Sequence, residues 1–234
     1  MLEVKEVYVG YYRDINILQG VFLAAQESMI TSIIGTNGVG KSTLLKTIYG
    51  FLQPNSGEII WQGRKLTGVD PYKMPLRGVA YIPQRRNVFP EMTVEENLQL
   101  GCWTFRKHKD QIHEKLEENY ERFPVLRDRR RQKAGNFSGG QQRMIELARA
   151  MMIDPKLMLV DEPTAGLAPK FSRYIYDKLL ELKGEGITIL LVDQHIKRAL
   201  EVSDYVYALA LGKNMTEGPR KDFENLKERI KEWL

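Results

Sequence analysis

Gly35-Thr36-Asn37-Gly38-Val39-Gly40-Lys41-Ser42-Thr43 follows an apolar run, Met29 to Ile34, and precedes a segment in which Leu44, Leu45 and Ile48 recur at helical spacing before Gly50. The stretch satisfies G-x-x-x-x-G-K-[ST] at the point where a buried strand hands over to a helix, which gives the pattern a mechanism. N–H groups left unpaired at the helix start, together with the positive end of its dipole, face an anion. The glycines let the main chain approach that anion closely. Lys41 adds a mobile positive charge, and Ser42 offers a hydroxyl to Mg²⁺. The reading is a cradle for nucleotide phosphates, with Gly35 to Thr43 as its lining.

Composition narrows what surrounds the cradle. A chain of 234 residues with 43% hydrophobic content fits one α/β domain with an appended subdomain. The balance of 35 basic and 30 acidic residues leaves a net charge of +5, spread along the chain, and no nucleic-acid partner is implied. No apolar run approaches the ~18 residues of a membrane span, and Glu3 and Glu6 interrupt the stretch where a signal peptide needs uncharged residues. These features predict a soluble cytoplasmic chain. The single cysteine, Cys102, has no internal partner for a disulfide and is expected to pack.

Outward from the cradle, Leu2 to Val9 alternates apolar and charged residues, as a half-buried strand does, and runs into an aromatic turn at Tyr11-Tyr12. Ile17 to Leu23, Glu58 to Trp61 and Val79 to Ile82 read as further strands, with a turn at Pro54 to Gly57. From Asn87 the character changes. Thr93-Val94-Glu95-Glu96 fits a capping box, and Ile112, Leu116, Tyr120 and Phe123 fall on one helical face. Residues 88–152 are therefore expected to form a helical insertion, with 1–87 and 153–234 as the core. The basic run Arg127 to Lys133 reads as a solvated loop. Ser138-Gly139-Gly140 opens a second glycine-backed helix, in which Met144, Leu147, Ala148 and Met151 recur before Asp154-Pro155 stops it. The tail predicts an amphipathic helix with Phe223, Leu226, Ile230 and Trp233 on its apolar face.

Two continuous apolar strands end in polar residues: Leu157 to Val160 in Asp161-Glu162, and Ile187 to Val192 in Asp193-Gln194-His195. In parallel sheets ligands bind beyond the carboxyl ends of strands, so these groups are expected to meet the cradle. Triphosphate hydrolysis needs phosphate anchors, a metal held through oxygen and a positioned water. Asp161 and Ser42 suit the metal, with the amide oxygen of Gln84 as a third donor. Glu162 suits the general base, and His195 a hydrogen bond to the terminal phosphate. Tyr12 offers a ring for a nucleobase.

Taken in order, these motifs resemble the ATP-binding cassette (ABC) family of ATPases over nearly the whole chain. Gly35 to Thr43 is similar to the Walker A loop, Gln84 to the Q-loop residue, and Phe137-Ser138-Gly139-Gly140-Gln141 to the signature. Leu157 to Glu162 is similar to Walker B and His195 to the switch histidine. The resemblance implies a P-loop NTPase core with an antiparallel β subdomain and an inserted helical subdomain. It implies a head-to-tail dimer, of two copies or with a paralogue, that sandwiches ATP and Mg²⁺ between Walker loops and the partner's Ser138 to Gln141, and it implies Tyr12 as the base-stacking aromatic. Tyr81 to Pro90 and Glu162 to Pro169 further resemble ATPase subunits of branched-chain amino acid importers and related amide and urea importers. That adds membrane permease subunits as partners, a place on the cytoplasmic face of the membrane, and Glu162, His195 and Lys41 as the catalytic set. The alternative within the family is a soluble ATPase not coupled to transport. The chain departs from the common pattern at Thr36 (often Pro), Phe137 (commonly Leu) and Ala168 (commonly Asp).

Overall fold

The computed structural model describes residues 1–11 and 15–223. Tyr12 and the tail positions Leu226, Ile230 and Trp233 lie outside that range. The chain opens with strands β1 (Leu2–Val9), β2 (Leu18–Ala25) and β3 (Ile30–Ile34), then helix α1 (Lys41–Ile48), followed by β4 (Ser56–Trp61), β5 (Arg64–Lys65) and β6 (Val79–Ile82). Four helices come next: α2 (Val94–Gln99), α3 (Lys109–Arg122), α4 (Pro124–Asp128) and α5 (Gly139–Met151). The remainder alternates as β7 (Leu157–Asp161), α6 (Pro169–Gly184), β8 (Thr188–Val192), α7 (Ile196–Val202), β9 (Tyr205–Ala210) and β10 (Lys213–Pro219).

The strands form two sheets, a six-stranded one in the order β10-β9-β3-β8-β7-β6 and a four-stranded one in the order β2-β1-β4-β5. Every pairing in the large sheet is parallel except β10 with β9, and the small sheet is antiparallel throughout. The large sheet is covered on both faces, which is why its strands are apolar without alternation. Along β7, Leu157 and Leu159 join the cluster that holds α1 and the small sheet, while Met158 and Val160 join the cluster of α5, α6 and α7. Because β6 and β7 are adjacent and parallel, their connection must cross over. Here the crossover carries α2 to α5.

Local signals placed α2, α3 and α5, whereas α4 carries Arg127 of the run that reads as a loop. Thr93 and Glu96 form the reciprocal capping box of α2, and Ser138 and Gln141 form that of α5. Leu116, Tyr120 and Phe123 are buried as the periodicity requires. The basic run is tied down by its own chain. Arg127 pairs with Glu117, Arg130 lies 3.7 Å from Glu95, Lys133 lies 2.9 Å from Glu91, and the Arg129 guanidinium sits 3.9 Å over the Phe137 ring. Cys102 is buried and free. Among the described residues no helix is long and apolar enough to cross a membrane.

Candidate phosphate site and the groove behind it

Beyond the carboxyl end of β3 the chain turns through Gly35 to Gly40 and enters α1. The helix starts with Gly40 at its N-cap, at φ 105°, with no side chain capping it and no acidic residue in its first turn. A side chain at this position is disfavoured twice over. The backbone is left-handed, and a Cβ would come 2.5 Å from Leu18 Cδ2. The result is a helix start whose N–H groups remain available to an anion.

A cavity of about 380 Å³ lies over this start, lined among others by Gly38, Lys41, Ser42, Gln84, Glu162 and Gln194. Lys41 is buried, and its Nζ donates to the carbonyls of Gly35 at 2.8 Å and Thr36 at 2.9 Å, so the ammonium is held inside its own loop. Burial pulls its pKa down, opposed by the carboxylates of Glu162, Asp161 and Asp193. Asp161 ends β7 and is buried. Its Oδ1 accepts from Ser42 Oγ at 2.8 Å, and its Oδ2 faces the Tyr81 hydroxyl at 3.3 Å. Burial raises the Asp161 carboxyl, and those two hydroxyls together with Lys46 and Lys41 oppose the rise.

Glu162 follows with a left-handed backbone at φ 42°, a conformation that costs on the order of 1 kcal/mol or more for a non-glycine residue. Its N–H donates to Val192 O at 2.8 Å and its Oε2 accepts from Gln84 Nε2 at 2.7 Å, so neighbours on two sides hold it there. Burial raises its pKa, the Gln84 contact lowers it, and nearby Asp161 raises it again. A carboxylate moved toward neutrality in a cavity beside an open helix start is suited to accept a proton from water.

The donor set also bears on a metal. Among the described residues no group of three or more His, Cys, Asp or Glu is placed to hold an ion. The Ser42 hydroxyl, the Asp161 carboxylate and the Gln84 amide oxygen are instead a sparse set of hard oxygen donors. That set fits Mg²⁺, which is commonly held by one or two carboxylates together with substrate phosphates.

Three placements differ from or extend the sequence reading. His195 does not line the Lys41 cavity. It lines a neighbouring one of about 450 Å³ with Gly35, Thr36, Leu209 and Met215, while Gln194 lines both. Tyr11, beside Tyr12, lines the Lys41 cavity. Ser138, Gly139, Gly140 and Gln141 line neither cavity.

The sequence reading also missed the buried pair Arg143 and Glu146 on α5. Arg143 donates to the carbonyls of Pro83 and Gln84 at 2.8 Å each and to Glu146 Oε2 at 2.6 Å, and Glu146 Oε1 accepts from the Asn87 N–H at 2.5 Å. Burial pushes the Glu146 carboxyl up and the Arg143 guanidinium down, each against the pull of its partner. Through this pair α5 carries the loop that holds Gln84. On the far side of that loop is a groove of about 350 Å³ whose lining includes Tyr81, Phe89, Leu100, Trp103, Glu146 and Arg149. Phe89, Leu100 and Trp103 are exposed.

Residues 18–165 match the family model described as ABC transporter. The chain is 39% identical over 214 residues to a probable branched-chain amino acid transport ATP-binding protein LivF of Archaeoglobus fulgidus, covering 91% of this chain and 89% of that protein. It is 40% identical over 203 residues to a high-affinity branched-chain amino acid transport ATP-binding protein BraG of Pseudomonas aeruginosa, covering 87% and 86%. Among solved structures, a nucleotide-free ATP-binding cassette from an ABC transporter superposes with a TM-score of 0.85 at 31% identity, covering 100% of this chain and 94% of that one. A dimeric cassette in a post-hydrolysis state bound to ADP and Pi superposes with a TM-score of 0.82 at 26% identity, covering 94% and 99%. With the cradle, the paired carboxylates and the helical crossover all in one α/β fold, this chain belongs to the ABC transporter family as an ATPase subunit.

Proposed function

We propose that this chain powers a membrane importer by closing a head-to-tail dimer on ATP and reopening it on hydrolysis. The observation that carries the reading is the separation of two glycine-backed helix starts. Lys41 and Glu162 share a cavity, and Ser138 to Gln141 do not line it. A two-fold partner, whether a second copy or a paralogue, brings its own signature to that cavity, and the pairing repeats by symmetry. That a cassette 26% identical to this chain is dimeric with ADP and Pi bound supports association in pairs.

The roles then follow from position. N–H groups from Gly38 to Thr43 hold the phosphates, and Lys41 exchanges its carbonyl partners for phosphate oxygens. Mg²⁺, taken by Ser42, Asp161 and Gln84, supplies charge neutralisation on the triphosphate when bound. Glu162 accepts the proton of the attacking water. Tyr12 stacks on the base, with the neighbouring Tyr11 on the cavity wall. The exposed apolar groove at Phe89, Leu100 and Trp103 receives a permease subunit on the cytoplasmic face of the membrane. The names of the relatives point to branched-chain amino acids as the solute.

Complementation tests the shared site. Lys41→Ala and Ser138→Arg chains, each inactive alone, are expected on mixing to recover about a quarter of wild-type turnover, because random pairing leaves one intact site in half of the dimers. Activity per subunit should also rise with protein concentration as dimers form. Concentration-independent activity with no recovery on mixing would overturn the shared site. Uptake of leucine by vesicles carrying the cognate permease tests the solute.

A further inference from the structure

The loop that carries Gln84 leaves β6 after Ile82 with little support from its own main chain. Among the described residues, no backbone–backbone hydrogen bond outside the strand ladders involves residues 83–87. Side chains of α5 fix it instead. Arg143 Nη1 donates to Pro83 O and Nη2 to Gln84 O, both at 2.8 Å, so one planar fork spans two successive carbonyls. Three residues further along each segment, Glu146 Oε1 accepts the Asn87 N–H at 2.5 Å. One helical turn beyond Arg143, Arg149 donates through both terminal nitrogens to Asn87 O at 3.1 Å. Arg86, from the same loop, lies against Gly139 at the start of α5. On the other side of the loop, Gln84 Nε2 donates to Glu162 Oε2 at 2.7 Å.

Arg143 and Glu146 meet at 2.6 Å with side chains only 2% and 1% exposed. A buried ion pair of this kind can often be replaced by apolar groups without loss of stability, because both charges are taken out of water. Arg143 also keeps its Nε buried without a partner among the described residues, so the arrangement is not tuned for stability alone. What the pair provides is geometry. We propose that Arg143, held in place by Glu146, is a positioning residue for hydrolysis: it fixes the Gln84 backbone where the amide reaches Glu162. This rests on reading Glu162 as the general base. Arg143 does not line the Lys41 cavity, and it acts only through Gln84. The base is thereby tied, through Gln84 and Arg143, to the helix that Ser138 caps.

Purified full-length variants test the assignment. Arg143→Met combined with Glu146→Gln removes both buried charges and keeps an acceptor for the Asn87 N–H, so the melting transition should stay close to that of wild type. Its kcat should fall about 10- to 100-fold, in the range caused by a misplacement of about 1 Å away from the chemistry, with ATP affinity within about threefold of wild type. Affinity is spared because Lys41 and the start of α1 are untouched. Arg143→Lys keeps the charge beside Glu146 but lacks the planar fork. It should show the same split between kcat and affinity, and it carries the test if the double variant does not fold. The decisive measurement is a cycle with Gln84→Ala, in which the changes at 143 and 146 should alter kcat by less than about twofold, since the amide they position is gone. The full loss repeated in the Gln84→Ala background, or kcat and affinity falling together, would show a structural role and overturn the assignment. Wild-type kcat in the folded double variant overturns it as well. Glu162→Gln separates the two levels: if it hydrolyses ATP at the full rate, the base reading falls and this assignment with it. If it is inactive and the Arg143 variants are fully active, the assignment alone falls.

Discussion

The two glycine-backed helix starts, α1 and α5, look alike in sequence and are built in opposite ways. At α1 the N-cap is Gly40, and among the described residues no side chain satisfies the first N–H groups. At α5 the chain satisfies itself. Ser138 Oγ accepts from the Gln141 N–H at 3.4 Å, and Gln141 Oε1 accepts from the Ser138 N–H at 3.0 Å. The glycines differ too. A Cβ on Gly139 would lie 2.1 Å from the Arg86 guanidinium, and one on Gly140 would lie 2.3 Å from the Phe171 ring. The first start is open toward an anion from its own chain, while the second is capped and covered by neighbours. In the proposed dimer, phosphate reaching the second start competes with these local contacts, so nucleotide binding and hydrolysis should be separable by mutation.

The largest expected effects test that separation. Glu162→Gln should slow turnover about 10²- to 10⁴-fold, or roughly 3 to 5 kcal/mol of barrier, while keeping ATP bound, and size-exclusion chromatography with ATP should then show a trapped dimer. Lys41→Ala should fail earlier, by weakening nucleotide binding in the dilute single chain, because it removes a phosphate contact present before any chemistry. Ser138→Arg should leave that single-chain affinity unchanged. Equal losses of nucleotide affinity in Lys41→Ala and Ser138→Arg would erase the distinction between the two starts.

Next in size is Gly140→Ala. The ring of Phe171 occupies the space of the new methyl group, and overpacking of this kind costs about 1–3 kcal/mol. Phe171→Ala in the same chain should recover part of that loss in thermal unfolding, since the obstruction is a side chain of α6 and not backbone. No recovery would show that Gly140 is required for its backbone instead.

These differences also show where the sequence was legible. Cap chemistry is local, so the box of Thr93 and Glu96 could be read three residues apart, while the one of Ser138 and Gln141 drew no such reading behind its glycines. Strands β3, β7 and β8 were legible because burial on both faces makes them continuously apolar. The carboxylates at the end of β7 were found because the parallel sheet brings strand ends together. The Arg143–Glu146 pair was not found: its spacing of three is common on solvated helix faces, and only the fold reveals carbonyl partners 60 residues away. Strands β9 and β10 and helix α6 drew no reading, since Tyr205 to Ala210 carries small and aromatic residues with no clean alternation. That His195 lies outside the Lys41 cavity was not legible either, because the turn before α7 is set by Asp193 and Tyr176, a contact spanning 17 residues that no local pattern announces.

A smaller effect separates cap from contact. Ser138→Ala should lower stability by about 1 kcal/mol, the usual cost of losing an N-cap side chain, where the N-cap of α1 has no such side chain to lose. Denaturant midpoints would register it, and an unchanged midpoint would mean that the box at α5 is not a stabilising one.

The smallest effect concerns the residue just before the box. Phe137 stands where Leu is common, and its ring lies under Arg129, the one member of the basic run that reaches the signature loop through an aromatic face. Such a contact contributes about 0.5–1 kcal/mol at partly exposed sites. Phe137→Leu removes both the ring face and some buried area, so its measured cost mixes two effects. A double-mutant cycle separates them, because Arg129→Ala deletes the cation without touching the burial of residue 137. The coupling energy should come out at about 0.5–1 kcal/mol, a shift of about 1–4 °C in melting temperature for a chain of this size. A coupling of zero would mean that Phe137 is retained for volume alone, and that α5 is steadied from the α6 side, at Gly140 and Phe171, without help from the basic loop.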